Sequence, residues 1–403
     1  QECVSFHVSF HRVQLKVQIW LSGAKINQLA AKNSLRVSLI RITNGILMTK
    51  VHNFSAGPAI LPPSAIQESI AALQNFAGTG LSLIEISHRS KEYEAVVAEA
   101  QALVKELLNV GDDYDAVFLQ GGASLQFDMI PMNFLGDTET ASYLNTGVWA
   151  KRAVKEAGFF GNVNVVASSE DKNFSYIPKD YVISGDSKYF HCTSNNTIYG
   201  TEMFHFPISP VPVVCDMSSD IFSRPINGND FAMIYAGAQK NMGPAGTTLV
   251  VLKKDAIKKA SRKIPTMLDY QIHIDNGSMY NTPSVFAIFV TLHTLRWIKS
   301  VGLEAMEQRN KAKADLLYAE IDRNGLFRGT VAPEDRSRMN VNFVLNNPEL
   351  EADFFAMCKA ANLSGLKGHR SVGGLRASLY NALELESVQA LVDAMKEFER
   401  IKG

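Results

Sequence analysis

The chain has 403 residues, of which 46% are hydrophobic and 20% charged, and its formal net charge is zero. This length suggests two domains, or one large α/β unit with an appendage. Residues 1–50 carry seven Lys or Arg and one acid, which leaves 33 basic and 39 acidic residues in the remainder. A mildly acidic body argues against nucleic acid as the main partner. No apolar run approaches the roughly 18 residues that span a membrane.

The cysteines show no CxxC pair and no spacing typical of zinc, so we expect no metal centre. Free thiols of this kind are typical of a reducing compartment, which predicts a cytoplasmic protein. The four cysteines are Cys3, Cys192, Cys215 and Cys358.

Residues 1–47 combine short apolar stretches with basic residues, and a transit peptide would also be basic and poor in acids. Met48 begins a segment that looks like a natural start. We therefore interpret residues 1–47 as an extension that is non-native or disordered.

Helical and strand patterns alternate from about residue 62. Between residues 91 and 108 the apolar positions recur on one helical face, whereas the short apolar runs further on suit buried strands. Strands that alternate with helices predict an α/β fold with a mainly parallel sheet covered on both faces. The predicted segments are helix 91–108, strand 115–120, a helix from 125, strand 142–145, helix 148–157, and strands 163–166, 189–192, 211–215, 231–235 and 247–252.

The pattern changes after two further helices, at 284–298 and 302–324. The segments that follow indicate a smaller α+β domain. We therefore divide the chain into a large domain, 48–309, and a small C-terminal domain, 310–403. The later segments are strand 338–345, helix 350–362, strand 375–380 and helix 385–401.

One lysine, Lys240, follows an apolar run and small residues and precedes a loop rich in Gly and Pro. Strands end in this way where the backbone must approach a ligand. A lysine among small and apolar neighbours can be desolvated, which disfavours the ammonium and frees the amine as a nucleophile. That is the chemistry of a lysine that holds pyridoxal phosphate (PLP) as a Schiff base, although a solvated loop lysine explains this segment equally well.

Other candidate residues also come just after apolar runs, where ligands of a parallel sheet bind. Asp216 could hold the protonated ring nitrogen of such a cofactor, or it could be a helix N-cap. The segment Gly121–Ser124 could cradle a phosphate with backbone N–H groups and a hydroxyl. Thr197 lies in a polar stretch that could add donors or be a plain turn, and Trp149 could stack on a planar ring or belong to the core.

Two basic sets suit anions. His88 and Arg89 precede the helix at 91–108, and His369 and Arg370 lie in a glycine-rich loop that leads to Arg376. Arginine binds carboxylate and phosphate in a bidentate way, so these residues suit a small dianion. Ordinary surface charges are the alternative.

Taken together, these pieces resemble the phosphoserine aminotransferase family, which belongs to class V of the fold-type I PLP enzymes. The resemblance runs from about His52 to the C-terminus. The segments that carry it are Asn53–Pro58, Ser87–Arg89, Tyr235–Asn241, Asp275–Pro283, Arg336–Val341, and Gly368–Arg370 with Gly373–Ser378.

The resemblance implies a fold-type I architecture with a seven-stranded large-domain sheet, PLP as cofactor, and a homodimer with sites at the subunit interface. Lys240 would bond to PLP and move the substrate proton, Asp216 would pair with the ring nitrogen, and Arg376 would bind the α-carboxylate. His88, Arg89, His369 and Arg370 would hold the substrate phosphate or the glutamate side chain. The remaining cofactor contacts would be Ala123, Ser124, Trp149, Thr197 and Gln239, with Asn281 and Thr282 from the other subunit.

The implied reaction moves the amino group of L-glutamate to a phosphorylated 2-oxo acid. Some family members carry arginine in place of Ser124, which puts an extra cationic contact there in doubt. The alternatives are another class V aminotransferase acting on a small amino acid, a cysteine desulfurase, and a nucleotide-binding α/β protein without PLP. A desulfurase needs an exposed loop cysteine, and Cys358 lies in a helical pattern, which disfavours that alternative.

Overall fold

The computed structural model describes residues 50–370 and 372–403 with their side chains, and four backbone segments before residue 50. These segments are β1 (Glu2–Phe10), which pairs antiparallel with β2 (Val13–Leu21), and β3 (Ile42–Thr43), which pairs antiparallel with β4 (Ile46–Leu47). The chain divides into two compact units, Gln1–Lys50 and Val51–Gly403. The prediction about residues 1–47 falls largely outside the described residues and stays a prediction.

The second unit alternates strands and helices, as the sequence predicts. In chain order its elements are β5 (His52–Asn53), α1 (Pro63–Gln74), α2 (Lys91–Leu107), β6 (Tyr114–Leu119), α3 (Gly122–Phe134), β7 (Thr140–Asn145), α4 (Val148–Ala157), β8 (Asn162–Ser168), β9 (Phe190–Thr193), β10 (Asn195–Asn196), β11 (Thr201–Glu202), β12 (Val213–Asp216), β13 (Met233–Gly237), β14 (Thr248–Lys253), α5 (Tyr270–Asp275), α6 (Val285–Val301), α7 (Leu303–Arg323), β15 (Phe327–Gly329), β16 (Asn340–Leu345), α8 (Glu351–Ala360), β17 (Leu363–Ser364), β18 (Leu375–Ser378) and α9 (Leu385–Lys402).

A seven-stranded sheet with the order β6-β14-β13-β12-β9-β7-β8 forms the centre of this unit. The pairings from β13 to β8 are parallel, and β14 runs antiparallel to both of its neighbours, β13 and β6. Every residue of β13 is buried, because apolar clusters cover both faces of the sheet. The prediction of an α/β fold with a mainly parallel sheet is confirmed.

Helix α2 shows how the local sequence sets an element. The Ser90 hydroxyl caps it by accepting from the backbone N–H of Tyr93, and Glu92 and Glu94 place acids in the first turn, where the helix dipole favours them. Its apolar positions are buried against the sheet core, as the periodicity predicts. The sequence therefore predicted the start of this helix to the residue.

A second core lies under the sheet β15-β16-β18, where α7, α8 and α9 contribute apolar side chains. Ala314 and Leu317 of α7 belong to this core, whereas Met306 of the same helix packs in the core of the large sheet. Phe54 is buried in the second core too, and β5 pairs with β17. The domain boundary at 309/310 thus falls inside one continuous helix, and it stays a prediction.

Helix α3 starts at Gly122 and not at the predicted Leu125, because Gly121 adopts a left-handed φ of 93° that lets the chain turn directly from strand into helix. In the described part of the chain, no helix is both long and apolar enough to cross a membrane.

Candidate active site

The carboxyl ends of β12 and β13 lie side by side, because the two strands are parallel neighbours with Asp216 opposite Tyr235. Lys240 follows three residues after β13 ends. Both side chains line one cavity of about 320 Å³. The lining residues are Ala56, Gly57, Gly122, Ala123, Ser124, Phe127, Trp149, Thr193, Asn195, Thr197, Ile198, Asp216, Ser218, Ser219, Gln239, Lys240, His369 and Arg376.

Asp216 is a buried acid, with 5% of its surface exposed. Its Oδ1 accepts hydrogen bonds from the Ser218 backbone N–H at 2.9 Å and from the Ser218 hydroxyl at 2.6 Å. Burial raises the pKa of Asp216, while Ser218 and the nearby Lys240 lower it again. Ionising this buried carboxyl group therefore costs free energy. A cation or a protonated ring in the cavity would offset that cost.

Lys240 shows the opposite shift. Burial lowers the pKa of its ammonium, and the charge of Asp216 raises it in part. The backbone holds the lysine in place, since its N–H donates to Ala238 O at 2.7 Å and the carbonyl of Gln239 accepts from Ala59 N at 2.9 Å. A lowered pKa makes the neutral, nucleophilic amine more accessible, as covalent chemistry requires.

The start of α3 offers a cradle for an anion. Gly122 has a φ of 69°, and no atom lies within 4 Å of the position that a Cβ would take there. Ala123 and Ser124 follow in the first turn, where backbone N–H groups have no intrahelical acceptor. Trp149 also lines the cavity and donates from Nε1 to Thr197 Oγ1 at 3.2 Å, which fixes the orientation of its ring.

Arg376 brings positive charge to the same cavity. Its Nη1 donates to Thr197 O at 3.2 Å, but its buried Nε has no hydrogen-bond partner among the described residues. Burial also lowers the pKa of this guanidinium. Unpaired buried donors are rare, so the arrangement indicates an anionic ligand. His369 lines the cavity beside it.

Five predicted site residues lie outside this cavity in the single chain. His88 is partly buried and Arg89 exposed, and Arg89 Nε donates to His88 Nε2 at 3.4 Å. Arg370 is exposed next to His369. Asn281 lines a separate cavity, and the carbonyl of Thr282 accepts from Gln120 Nε2 at 2.9 Å. The cavity brings together the other predicted residues, which are Ala123, Ser124, Trp149, Thr197, Asp216, Gln239, Lys240, His369 and Arg376.

Sequence reasoning missed several lining residues. Ser218 could have been found, because a hydroxyl two residues after an aspartate readily bonds its carboxylate. Phe127 lies one helical turn after Ser124, so the same helix face carries it into the cavity. Ile198 carried no local signal, since an apolar residue in a polar stretch is usually core.

Comparison with known proteins decides the family. The family Aminotransferase class-V matches residues 51–391. The phosphoserine aminotransferase of Flavobacterium johnsoniae is 59% identical over 352 residues, which cover 87% of this chain and 99% of that protein. The chain belongs to the class V aminotransferases. The phosphoserine aminotransferase of Bacteroides thetaiotaomicron, 59% identical with the same coverage, supports the assignment.

Solved structures of class V aminotransferases agree with this fold. The phosphoserine aminotransferase of Bacillus circulans subsp. alkalophilus is 46% identical with a TM-score of 0.85, and the match covers 88% of this chain and 99% of that one. The PLP-bound enzyme of Trichomonas vaginalis is 40% identical with a TM-score of 0.82, over 86% of this chain and 100% of that one. The family resemblance indicated by the sequence is confirmed.

Class V aminotransferases are PLP-dependent transaminases, and the residues present fit that cofactor. The cavity supplies an amine of lowered pKa, a buried carboxylate and a helix N-terminus for a phosphate. The Thr193 hydroxyl is a further buried group without a partner among the described residues. Cys358 is buried in α8 and burial raises its pKa to about 12, so it is no exposed desulfurase thiolate.

Proposed function

We propose that the chain transfers the amino group of L-glutamate to 3-phosphohydroxypyruvate, which gives O-phospho-L-serine and 2-oxoglutarate. We extend the proposal to the four-carbon analogue 3-hydroxy-2-oxo-4-phosphooxybutanoate, which would place the enzyme in serine and pyridoxine biosynthesis. The observation that carries the proposal is one cavity that joins Lys240 and Asp216 to the guanidinium of Arg376 and the imidazole of His369. The relatives at 59% identity bear the matching name.

The cofactor would lie between the strand ends and α3. PLP, when bound, supplies an electron-withdrawing ring that makes the substrate Cα–H acidic. Asp216 would hold the ring nitrogen, Trp149 would pack on the ring face, and Thr197 and Gln239 would contact its polar edge. The N–H groups of Ala123 and Ser124 would bind the phosphate.

Lys240 would act twice. Its neutral amine would first bond to the cofactor, and after the substrate has displaced it, the same amine would take the proton from Cα and return it at C4′. Burial lowers the pKa of Lys240, so the free base needed for both roles is present nearer to neutral pH than for an exposed lysine.

The basic residues would select the substrate by charge. Arg376 would bind the α-carboxylate through its unpaired donor. His369 and Arg370 would face the second anion, which is phosphate in one half-reaction and the glutamate side chain in the other. A substrate without a second anion would leave these charges without a partner, which disfavours a small neutral amino acid.

We further propose a homodimer in which His88, Arg89, Asn281 and Thr282 complete the partner's cavity. An apolar stripe on α1 supports this, since Ile66, Ile70 and Leu73 are 41%, 47% and 38% exposed at helical spacing. The cytoplasmic location stays a prediction from the cysteine pattern.

The dimer proposal is tested with Ile70→Glu, which places a charge in the apolar stripe. We expect sedimentation equilibrium to show a monomer that has lost transaminase activity. Gln67→Glu is the matched control, because it adds the same charge at an exposed polar position of the same helix and should leave the dimer intact. An active Ile70→Glu dimer would contradict this interface.

The substrate proposal is tested by half-reactions of the purified enzyme loaded with PLP. Phosphoserine and glutamate should each convert the cofactor to its amino form, as followed by absorbance, while alanine and serine should react at least about 100-fold more slowly, because the charged groups of the site would stay unpaired. Equal rates with alanine would favour the alternative, another class V aminotransferase. A protein that binds no PLP would refute the whole proposal.

A further inference from the structure

Residues 336–341 carry part of the family resemblance, yet none of them lines the cavity. They lead into β16, whose neighbour β18 carries Arg376. In β16 the odd-numbered positions from 341 to 345 belong to the second core, whereas Asn340 and Asn342 alternate with them on the opposite face. Both asparagines are buried, so this face needs polar partners.

The hairpin formed by β10 and β11 supplies partners for this face. Asn342 Nδ2 donates to the carbonyl of Ile198. The Ser337 backbone N–H donates to Gly200 O at 2.8 Å. Gly200 has a φ of 86°, and a Cβ there would lie 2.9 Å from Asn340 O, so the close approach requires glycine. The same hairpin supplies cavity-lining residues, and β16 therefore supports one wall of the cavity.

Asn195, the first residue of this hairpin, lines the cavity and connects it to β16. Its Nδ2 donates to Ser219 Oγ and to Asn340 Oδ1, both at 2.8 Å. Its Oδ1 accepts from the Ser337 hydroxyl at 2.5 Å. All four side chains are buried. Two residues of the cavity wall, Asn195 and Ser219, are thus hydrogen-bonded to each other and to the start of β16.

The orientation of the Asn340 amide follows from counting donors. Its Nδ2 lies 3.0 Å from Ser378 Oγ and 3.2 Å from Tyr380 Oη. The Tyr380 hydroxyl donates its single proton to Ala56 O at 2.8 Å, so it accepts from Asn340. The amide nitrogen therefore faces Tyr380, and the amide oxygen faces Asn195. Asn340 joins the end of β18 to the cavity wall through three hydrogen bonds.

Arg376 lies on the strand that Asn340 holds. The strands β16 and β18 are antiparallel, and Asn340 lies opposite Ser378. Arg376 comes two residues before Ser378, so both side chains project from the same face of β18. Arg376 Nη1 donates to Thr197 O of the hairpin at 3.2 Å. The position of the guanidinium relative to the cavity wall therefore depends on how firmly β18 is bound to that wall.

We propose that Asn340 is a positioning residue for substrate binding, which binds β18 to the cavity wall and thereby holds the Arg376 guanidinium where it can meet the α-carboxylate. This inference rests on the proposed function, because it needs Arg376 to bind that carboxylate. Asn340 does not line the cavity, so it acts through Asn195 and β18. A neutral amide suits this role, because a fully paired polar network is rigid and adds no charge that would compete for the substrate anion.

The test measures steady-state kinetics of the holoenzyme with glutamate and 3-phosphohydroxypyruvate. Asn340→Leu keeps the branching of the side chain and removes all three hydrogen bonds. KM for both substrates should rise about tenfold, while kcat falls no more than about threefold, because binding and not chemistry is impaired. The dissociation constant of PLP should change no more than about twofold, since none of the lost hydrogen bonds reaches Asp216 or Lys240.

Asn324→Leu is the matched control. Asn324 is also a buried amide with three hydrogen bonds, but its partners Glu320, Met395 and Leu326 lie away from the cavity. The variant should lower the melting temperature, as Asn340→Leu does, and leave KM and kcat unchanged.

A double variant shows whether Asn340 acts through Arg376. In the background of Arg376→Lys, Asn340→Leu should raise KM less than about twofold, because the fork that it positions is already lost. If Asn340→Leu fails to fold, Ser337→Ala decides, since it removes the other hydrogen bond between Asn195 and this segment. Ser337→Ala should raise KM about threefold in the presence of Arg376 and not in Arg376→Lys.

The proposal is overturned if Asn340→Leu keeps a normal KM, if it weakens PLP binding as much as it raises KM, or if Asn324→Leu raises KM equally. It is also overturned if the effects of Asn340→Leu and Arg376→Lys on KM multiply in the double variant. A wild-type enzyme that binds no PLP, or does not turn over 3-phosphohydroxypyruvate, would refute the proposed function. A wild type with the proposed activity and a normal Asn340→Leu refutes this inference alone.

Discussion

Two groups of residues at the candidate site differ in origin and in burial. The strand-end group, Asp216, Ser218 and Lys240, follows two paired strands of the large sheet. The loop group comes from β18 and the loop before it: Arg376 lies in β18 and His369 in the loop, both lining the cavity, and Arg370 follows His369 outside the cavity. Asp216 is buried, whereas Arg370 is exposed and His369 partly exposed.

The difference in burial affects how each group holds its charge. Burial shifts the pKa of Asp216 up and that of Lys240 down, so each needs the other or a ligand to be stable in charged form. In the loop group, Arg370 is exposed and holds its charge near solvent, whereas burial lowers the pKa of both Arg376 and His369. We therefore expect covalent and proton chemistry at the strand ends and recognition of anions at the loop.

The largest expected effect comes from the strand-end group. Lys240→Ala removes the proposed nucleophile and base, so we expect a loss of transaminase activity on the order of 10⁴-fold or more. The absorbance band of lysine-bound cofactor should vanish with it. Lys258→Ala, an exposed lysine away from the cavity, is the control and should be fully active. A retained band in Lys240→Ala would mean that another amine holds the cofactor.

Asp216→Asn should separate function from stability. Turnover should fall by about 10²–10³-fold, since the ring nitrogen loses its anionic partner. Because burial raises the pKa of Asp216, the folded apoenzyme binds more protons than the unfolded chain between the two pKa values. Stability thus falls as pH rises through that window, and the cost of the buried anion is complete above it. The amide does not titrate.

Thermal unfolding of the apoenzymes from pH 4 to pH 8 measures this effect. The variant should gain stability relative to wild type as pH rises, and the gain should level off above the raised pKa. A wild-type apoenzyme that becomes more stable relative to Asp216→Asn with rising pH would show that Ser218 and Lys240 outweigh burial.

Arg376→Lys tests the loop group while the charge is kept. The lysine cannot reproduce the fixed fork of a guanidinium, so KM for glutamate and for the phosphorylated oxo acid should rise about 10–100-fold with a smaller change in kcat. Arg328→Lys, at an exposed position of β15, should change neither constant. A fall in kcat at constant KM would instead place Arg376 with the strand-end group.

The placement of Asp216 and Lys240 at one edge of the sheet could be predicted because it follows from local signals, whereas Ser218 of the same group was missed. Apolar runs that end in Asp216 and just before Lys240 belong to parallel strands, whose carboxyl ends meet at one edge. The early start of α3 was not predictable, since it depends on the left-handed conformation of Gly121. The contact of Tyr235 with His191 also needed the strand order, because adjacency in a sheet does not follow from the order of strands along the chain.

The loop group was predicted only in part, for a related reason. The Gly-rich composition indicates a loop that approaches a ligand, and a Cβ at Gly368 would indeed collide with the carbonyls of Gly373 and Gly374. Which cationic side chains lie near this loop depends on tertiary packing and does not follow from the local sequence. Arg152 on α4 is such a case, because it lies over the Trp149 ring, 4.9 Å from its centroid, although no motif marks it.

Arg152→Ala should have the smallest effect and measures how far the loop group extends. Burial is the main cause that lowers the pKa of His369, followed by the charges of Arg376, Arg370 and Arg152. Removing Arg152 should therefore raise the pKa of His369 slightly, with KM changed no more than about twofold because an exposed charge is screened by solvent. Titration of the His369 Cε1–H resonance by NMR measures the shift, and the spectrum of His369→Asn assigns the signal.

Lys151→Ala is the control for that titration, since Lys151 is the exposed neighbour and pairs with Glu170 at 2.5 Å. It should leave the His369 titration unmoved. An equal shift in both variants would mean that His369 responds to the net charge of α4 and not to one positioned cation. A shift confined to Arg152→Ala would show that the loop group interacts with α4, the helix that carries Trp149. The residue predicted to pack on the cofactor and a cation that lowers the pKa of His369 would then lie one turn apart on the same helix.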